Sequence, residues 1–281
     1  MEKRSITTER IAAFGRYLRR EEKAAGTVEN YLRHVQRLAA DLGGQTITKE
    51  RVSAWKERLL REGLAPASVN AMLAAVNRFL AWAGLSDCRV KALRLQRRLF
   101  RDDSRELKRT EYERLVSTAY AQGKERLALL LETICATGVR VSEVQYITVE
   151  AAQARKTEIS LKGKIRTILL PSKLAKKLLK YARKNKIASG EIFLTGSGRR
   201  LERRQIWAEM KRLCRYAGVD ESKAFPHNLR HVFARAFYRD CRDIARLADV
   251  LGHSSIETTR LYLISTGTEH ERTLNRLRLV S

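Results

Sequence analysis

Apolar residues recur at three- and four-residue intervals through the first 84 positions, and this period predicts four amphipathic helices in succession. Ile11, Phe14 and Leu18 mark the first; Tyr31, Val35, Leu38 and Leu42 mark the second, which Gly43-Gly44 stops. Thr48 is placed to cap a third helix carrying Val52, Trp55 and Leu59 and ending near Gly63. Val69, Met72, Leu73, Val76, Phe79 and Leu80 form the stripe of a fourth that ends near Gly84. Such stripes are core, so residues 1–88 read as one helical domain.

The period then fades. From Arg89 to Arg109 the chain is crowded with Arg and Lys, and residues 89–105 are predicted to be a basic linker. Thr110 to Glu113 reads as a capping box, followed by the apolar segment Leu127 to Ile134, so a second domain is expected over 106–281. Between Thr157 and Leu170 the period shortens to two. Ile159 and Leu161 alternate with Ser160 and Lys162, Gly163 turns the chain, and Ile165 to Leu170 returns, which predicts a β-hairpin. Helices resume from Ser172. The fold class is mainly α with a small sheet inserted.

Composition supplies a partner. The 281 residues include 57 Lys and Arg against 31 Asp and Glu, a net charge of +26, and a surplus of that size opposes compaction unless a polyanion neutralises it. Before a cut at residue 100 stand 20 basic and 10 acidic residues, and after it 37 and 21, so both domains are basic and the excess is not a tail. Nucleic acid or an acidic membrane surface heads the list of partners, and a pair of domains gripping the same polyanion from two sides is the expected arrangement. No apolar run is long enough to cross a membrane and no signal peptide opens the chain. Cys88, Cys135, Cys214 and Cys241 lack the paired spacing of zinc or disulfide sites and are expected as buried thiols in a reducing cytoplasm.

Four short segments carry candidate chemistry: Thr137-Gly138-Val139-Arg140 with Glu143, the hairpin lysines Lys162 and Lys164, His227 with Arg230, and Gly252-His253 followed by Tyr262. His227 and Arg230 lie one helical turn apart near a helix start, where backbone N–H groups also favour an anion. A guanidinium offers a flat, permanent fork for two phosphate oxygens, which lysine cannot reproduce. His231 stands four residues beyond His227, yet Asn228 replaces the glutamate of a His-Glu-x-x-His zinc motif and no third ligand is evident, so no metal is expected.

In this order the segments resemble the catalytic set of the tyrosine recombinases, the phage integrase and Xer-type site-specific recombinases. TGVRVSEV is similar to the first-arginine motif, FPHNLRHVFA to the histidine-arginine box, and LGHSSIETTRLY to the approach to the nucleophile. The resemblance covers about residues 106 to 270; the first domain matches the family's SAM-like core-binding domain in size and helix count. It implies Tyr262 as nucleophile, Arg140 and Arg230 on the scissile phosphate, and His253 adding a hydrogen bond to it. His227 would assist proton transfer, and Lys162 would be the general acid, with Lys164 as the alternative. Glu143 matches an acidic position that orients its neighbours, though an ordinary glutamate at a helix start reads the same way. Arg166 is expected to meet backbone or solvent.

The implied reaction is strand exchange through a 3′-phosphotyrosyl link and a Holliday junction, by four protomers on two duplexes, without metal or ATP. A type IB topoisomerase-like nicking-closing enzyme and a non-catalytic DNA-binding protein are the alternatives. Two departures stand out. Leu263-Ile264 follows the tyrosine where Xer-type chains have Thr-His, and the helical domain begins almost at residue 1, which predicts no accessory arm-binding module. The tail from Ser265 to Ser281 is open to docking on a neighbouring protomer or on its own domain.

Overall fold

The computed structural model describes residues 4–95, 103–161, 164–263 and 275–277, and the chain divides into two compact units, Met1–Arg97 and Arg98–Ser281. The first contains α1 (Thr8–Arg20), α2 (Ala25–Leu42), α3 (Lys49–Arg61) and α4 (Pro66–Trp82). Their ends follow the local chemistry. The Thr48 hydroxyl accepts from the Arg51 N–H, Gly43 takes a left-handed conformation after α2, and Pro66 opens α4, where its missing N–H costs nothing. Because α4 buries Val69, Met72, Leu73, Ala75, Val76, Phe79 and Leu80, it is the central helix, and Phe14 meets Phe79 edge-on at 5.3 Å.

The stretch expected as a linker is held at both ends. Asn77 donates to the Val90 carbonyl at 2.8 Å and accepts from its N–H at 3.1 Å; Asn70 repeats this two-way pairing with Leu93. On the other side the Arg105 carbonyl accepts from Asn228 and the Leu107 carbonyl from Arg235.

The second unit runs α5 (Arg109–Ala121), α6 (Glu125–Thr137), a 3-10 turn (Val141–Tyr146), α7 (Val149–Ala154), β1 (Lys156–Leu161), β2 (Lys164–Leu169) and α8 (Ser172–Lys184). It continues through α9 (Arg203–Ala217), α10 (Pro226–Cys241), α11 (Ile244–Leu251) and α12 (Ile256–Arg260). Helix α6 is buried along most of its length, from Leu127 to Leu131 and again at Ile134, and packs against α5, α8 and α10. The strands pair antiparallel with Leu161 opposite Lys164, burying Ile159, Arg166 and Ile168 and leaving Ile165 and Leu169 exposed. Residues 162 and 163 lie outside the described ones, as does the tail other than 275–277.

One predicted boundary moves. Helix α5 begins before the Thr110–Glu113 box, because Glu111 accepts from the Lys108 N–H at 2.8 Å while Lys223 holds its other oxygen at 3.0 Å. Glu113 instead pairs with Arg109. Among the described residues no helix is long and apolar enough to cross a membrane.

Candidate active site

Two helix ends create the pocket, and each demands glycine. Gly138 closes α6 and Gly252 closes α11, both at positive φ. A Cβ on Gly138 would lie 2.5 Å from the Phe233 ring, and one on Gly252 would lie 2.4 Å from Cδ of Arg166. Any side chain would therefore force apart the elements that carry the polar groups.

Just beyond Gly138, Arg140 caps the 3-10 turn. Its NH1 donates to Glu143 Oε1 at 2.7 Å, its backbone N–H to Oε2 at 2.9 Å, and its NH2 to the Gly252 carbonyl at 3.3 Å. The Arg140 side chain stays 40% exposed, whereas that of Glu143 is 3% exposed. Burial pushes the Glu143 carboxyl up, but the Arg140 N–H and the guanidiniums of Arg166 and Arg140 outweigh it and hold the group below the usual carboxylate range.

Pro226 starts α10, which sets His227 and Arg230 on its first turns. Arg230 is 2% exposed. Its NH1 donates to the Gly138 carbonyl, its NH2 to the Leu251 carbonyl at 2.6 Å and to His253 Nε2 at 3.0 Å, while its Nε has no hydrogen-bond partner among the described residues. Burial, reinforced by Arg140, pushes this guanidinium down to about 10, so it remains a cation at neutral pH.

His253 has Nδ1 2.8 Å from the buried Thr259 hydroxyl. Burial and then Arg230 push its pKa down to about 4, so the ring is neutral. Since Arg230 donates to Nε2, the proton belongs on Nδ1 and points at Thr259. In this geometry Nε2 accepts from Arg230 and steadies it. His227 is shifted down as well, by burial and by the charges of Arg230, Arg140 and Arg203.

Tyr262 lies just past α12, 5% exposed, in an apolar cluster with Ala234, Leu247 and Leu251. Three histidine rings surround its phenol, His231 at 4.3 Å between centroids and His227 and His253 at 5.4 Å each. The structure thus brings Arg140, Glu143, His227, Arg230, His253 and Tyr262 together from three separated motifs. Lys162 lies outside the described residues, and Lys164 opens β2.

Three participants escaped the sequence reading: His231 against the phenol, Thr259 behind His253, and Arg166. The last was expected to meet backbone or solvent. It meets backbone at the Val250 carbonyl, with NH2 at 2.8 Å, but it is buried, and its NH1 pairs with Glu143 Oε2 at 2.5 Å. A signal was available, because Arg166 is in phase with the inward residues Ile168 and Leu170.

The chain is similar to known proteins over both units. Tyrosine recombinase XerA of Pyrococcus furiosus is 25% identical over the whole of this chain and 98% of its own length. Tyrosine recombinase XerC of Roseiflexus castenholzii is 33% identical, over 47% of this chain and 45% of its own. Among solved structures, a lambda integrase tetramer bound to a Holliday junction shares the fold with a TM-score of 0.74 at 16% identity, covering 92% of this chain and 77% of that one. The Tn1549 transposon integrase in complex with transposon right end DNA gives 0.72 at 16% identity, covering 97% and 99%. The phage integrase N-terminal SAM-like domain model matches residues 11–85, and the phage integrase family model matches residues 105–268, the span that holds every catalytic candidate. With the pocket and more than half of the sequence both accounted for, the chain belongs to the phage integrase family.

Proposed function

We propose that the protein is a site-specific DNA recombinase that cuts and rejoins duplex DNA by transesterification. The Tyr262 oxygen attacks the scissile phosphorus, a 3′-phosphotyrosyl bond forms, and the 5′-oxygen leaves. The phosphodiester energy is retained in the covalent link, so a second 5′-hydroxyl reseals it and neither metal nor nucleotide is required.

Each residue has a physical task. Arg140 and Arg230 stabilise the charge that develops on the non-bridging oxygens, and the Nε of Arg230, without a hydrogen-bond partner among the described residues, is a further donor for them. His253 fixes the Arg230 fork, Glu143 fixes Arg140, and His227 takes part in moving the phenolic proton. Lys162 or Lys164 protonates the leaving oxygen. Four protomers on two duplexes passing through a Holliday junction is the assembly proposed; the similar lambda integrase binds a Holliday junction as a tetramer. The reaction takes place on DNA in the cytoplasm.

The observation that carries this reading is the enclosure of one phenol by three histidine rings, with the buried Arg230 interacting with the same phenol, from motifs that are remote in sequence. A suicide duplex, nicked beside the cleavage point so that the short product strand escapes, tests it. The native protein is expected to become covalently attached, and Tyr262→Phe to bind DNA with almost unchanged affinity while forming no adduct. Adducts that persist in the Phe variant sink the assignment.

A further inference from the structure

Arg166 joins three parts of the pocket. Its Cα is on β2, its Nε and NH2 both donate to the Val250 carbonyl in the last turn of α11, and its NH1 reaches Glu143 beside Arg140. The side chain runs directly beneath Gly252, where only a hydrogen fits. A buried arginine is expensive to desolvate, and a plain hydrophobic staple would fasten the hairpin equally well.

The division of the Glu143 oxygens gives the arginine a purpose. Oε1 accepts from Arg140 NH1, while Oε2 accepts from Arg166 and from the Arg140 backbone N–H. An arginine and a carboxylate left to themselves favour a bidentate, side-on pair. That pair would turn the Arg140 fork onto Glu143 and leave the two groups neutral in sum. With Arg166 and the Arg140 backbone N–H on Oε2, the Arg140 guanidinium is held by one oxygen only and the three-residue cluster keeps one positive charge.

We infer that Arg166 is a positioning residue for Arg140: by occupying one oxygen of Glu143 it keeps the Arg140 guanidinium turned toward the scissile phosphate and electrostatically unspent. This rests on the assignment of Arg140 to that phosphate. The effect on Arg140 is one of orientation, and a misplacement on the order of 1 Å costs about 100-fold in rate.

The test compares single-turnover cleavage of two suicide duplexes, one with an ordinary scissile phosphodiester and one with a methylphosphonate there. The methyl group removes one negative charge, and with it much of the demand for a guanidinium. Arg166→Met is expected to bind DNA normally, to cleave the phosphodiester about 100-fold more slowly than the native protein, and to lose most of that deficit on the methylphosphonate. Arg140→Ala is the reference. If its deficit fails to close, the phosphate assignment of Arg140 is wrong; if its deficit closes and that of Arg166→Met does not, the positioning role alone is overturned. Should the Met variant fail to fold, Arg166→Lys decides. One ammonium cannot serve both Glu143 and Val250, so a deficit of about 10-fold that closes on the methylphosphonate is expected. No deficit, or one that persists on the neutral substrate, overturns the inference.

Discussion

The two units bury different things. In the helical unit over residues 4–95 the buried side chains are apolar, and its ion pairs, such as Arg37–Glu62 and Arg78–Glu21, stand at the surface. In the second unit Glu106, Thr133, Thr137, Glu143, Arg166, Asn228, Arg230 and Thr259 are all buried, and among the described residues no such group lies in the first. Stability alone does not call for buried cations, since well-packed apolar residues do as well or better. The first unit is built to fold and to present charge; the second accepts desolvated charge because reacting phosphate needs fixed donors in a dry setting.

The sharpest way to break this contrast is to remove each arginine. Arg140→Ala and Arg230→Ala are both expected to slow cleavage by several orders of magnitude, corresponding to about 3 to 5 kcal/mol of transition-state stabilisation. They should part company in thermal unfolding. Arg230→Ala strips donors from the buried Gly138 and Leu251 carbonyls and should lower the melting temperature the more, whereas loss of the half-exposed Arg140 leaves Glu143 still paired with Arg166 and should lower it less. Equal melting temperatures would mean that the buried arginine carries no greater structural load than the exposed one.

A second probe is pH. His253, at about 4 in the fold against an ordinary 6.5, and His227, also depressed, are neutral in the native protein and gain protons more readily when unfolded. Stability is therefore expected to fall as pH drops from about 6.5 toward about 4, with the loss smaller in His253→Gln. Melting temperatures across that range check it; an unchanged slope in the variant removes His253 from the account. Glu143 acts in the same direction below the ordinary carboxylate range, where its protonation releases both arginines.

Smaller effects belong to the surface. DNA affinity should weaken with salt at a log-log slope of about −7 if roughly eight phosphates are neutralised by the two units. A slope near zero would mean that the surplus charge has no part in binding. At the bottom of the scale, Arg37→Ala should change stability by less than about 1 kcal/mol, measured by denaturant unfolding.

Most of the first unit was legible because each of its helices buries one stripe, and caps and terminators are local: Thr48, Gly43 and Pro66 act within a turn of where they stand. The candidate site was legible as an ordered set of reactive residue types, yet not as a pocket. Nothing local says that Arg230 spends its donors on two helix-end carbonyls, that His253 leans on Thr259, or that His231 stacks on Tyr262. The first and last are long-range pairings and the second depends on where α12 is set, so none is visible to period and propensity. Arg166 sits between the cases, since its phase in β2 pointed inward while its partner Glu143 lay 23 residues away. The start of α5 was misread for a related reason, because Lys223, remote in sequence, helps to hold Glu111.

Gly138 and Gly252 have no reactive atoms, yet they discriminate between chains more strictly than some residues that do. A descendant that had lost its tyrosine through decay would still be confined to glycine at both sites for as long as Phe233 and Arg166 kept their places. A chain with every reactive residue intact but alanine at either site would have to displace the Phe233 ring or the Arg166 side chain and strain its backbone at a positive φ. When related sequences are sorted into working and silent ones, the two positions with nothing to offer but a hydrogen therefore belong beside the nucleophile as criteria.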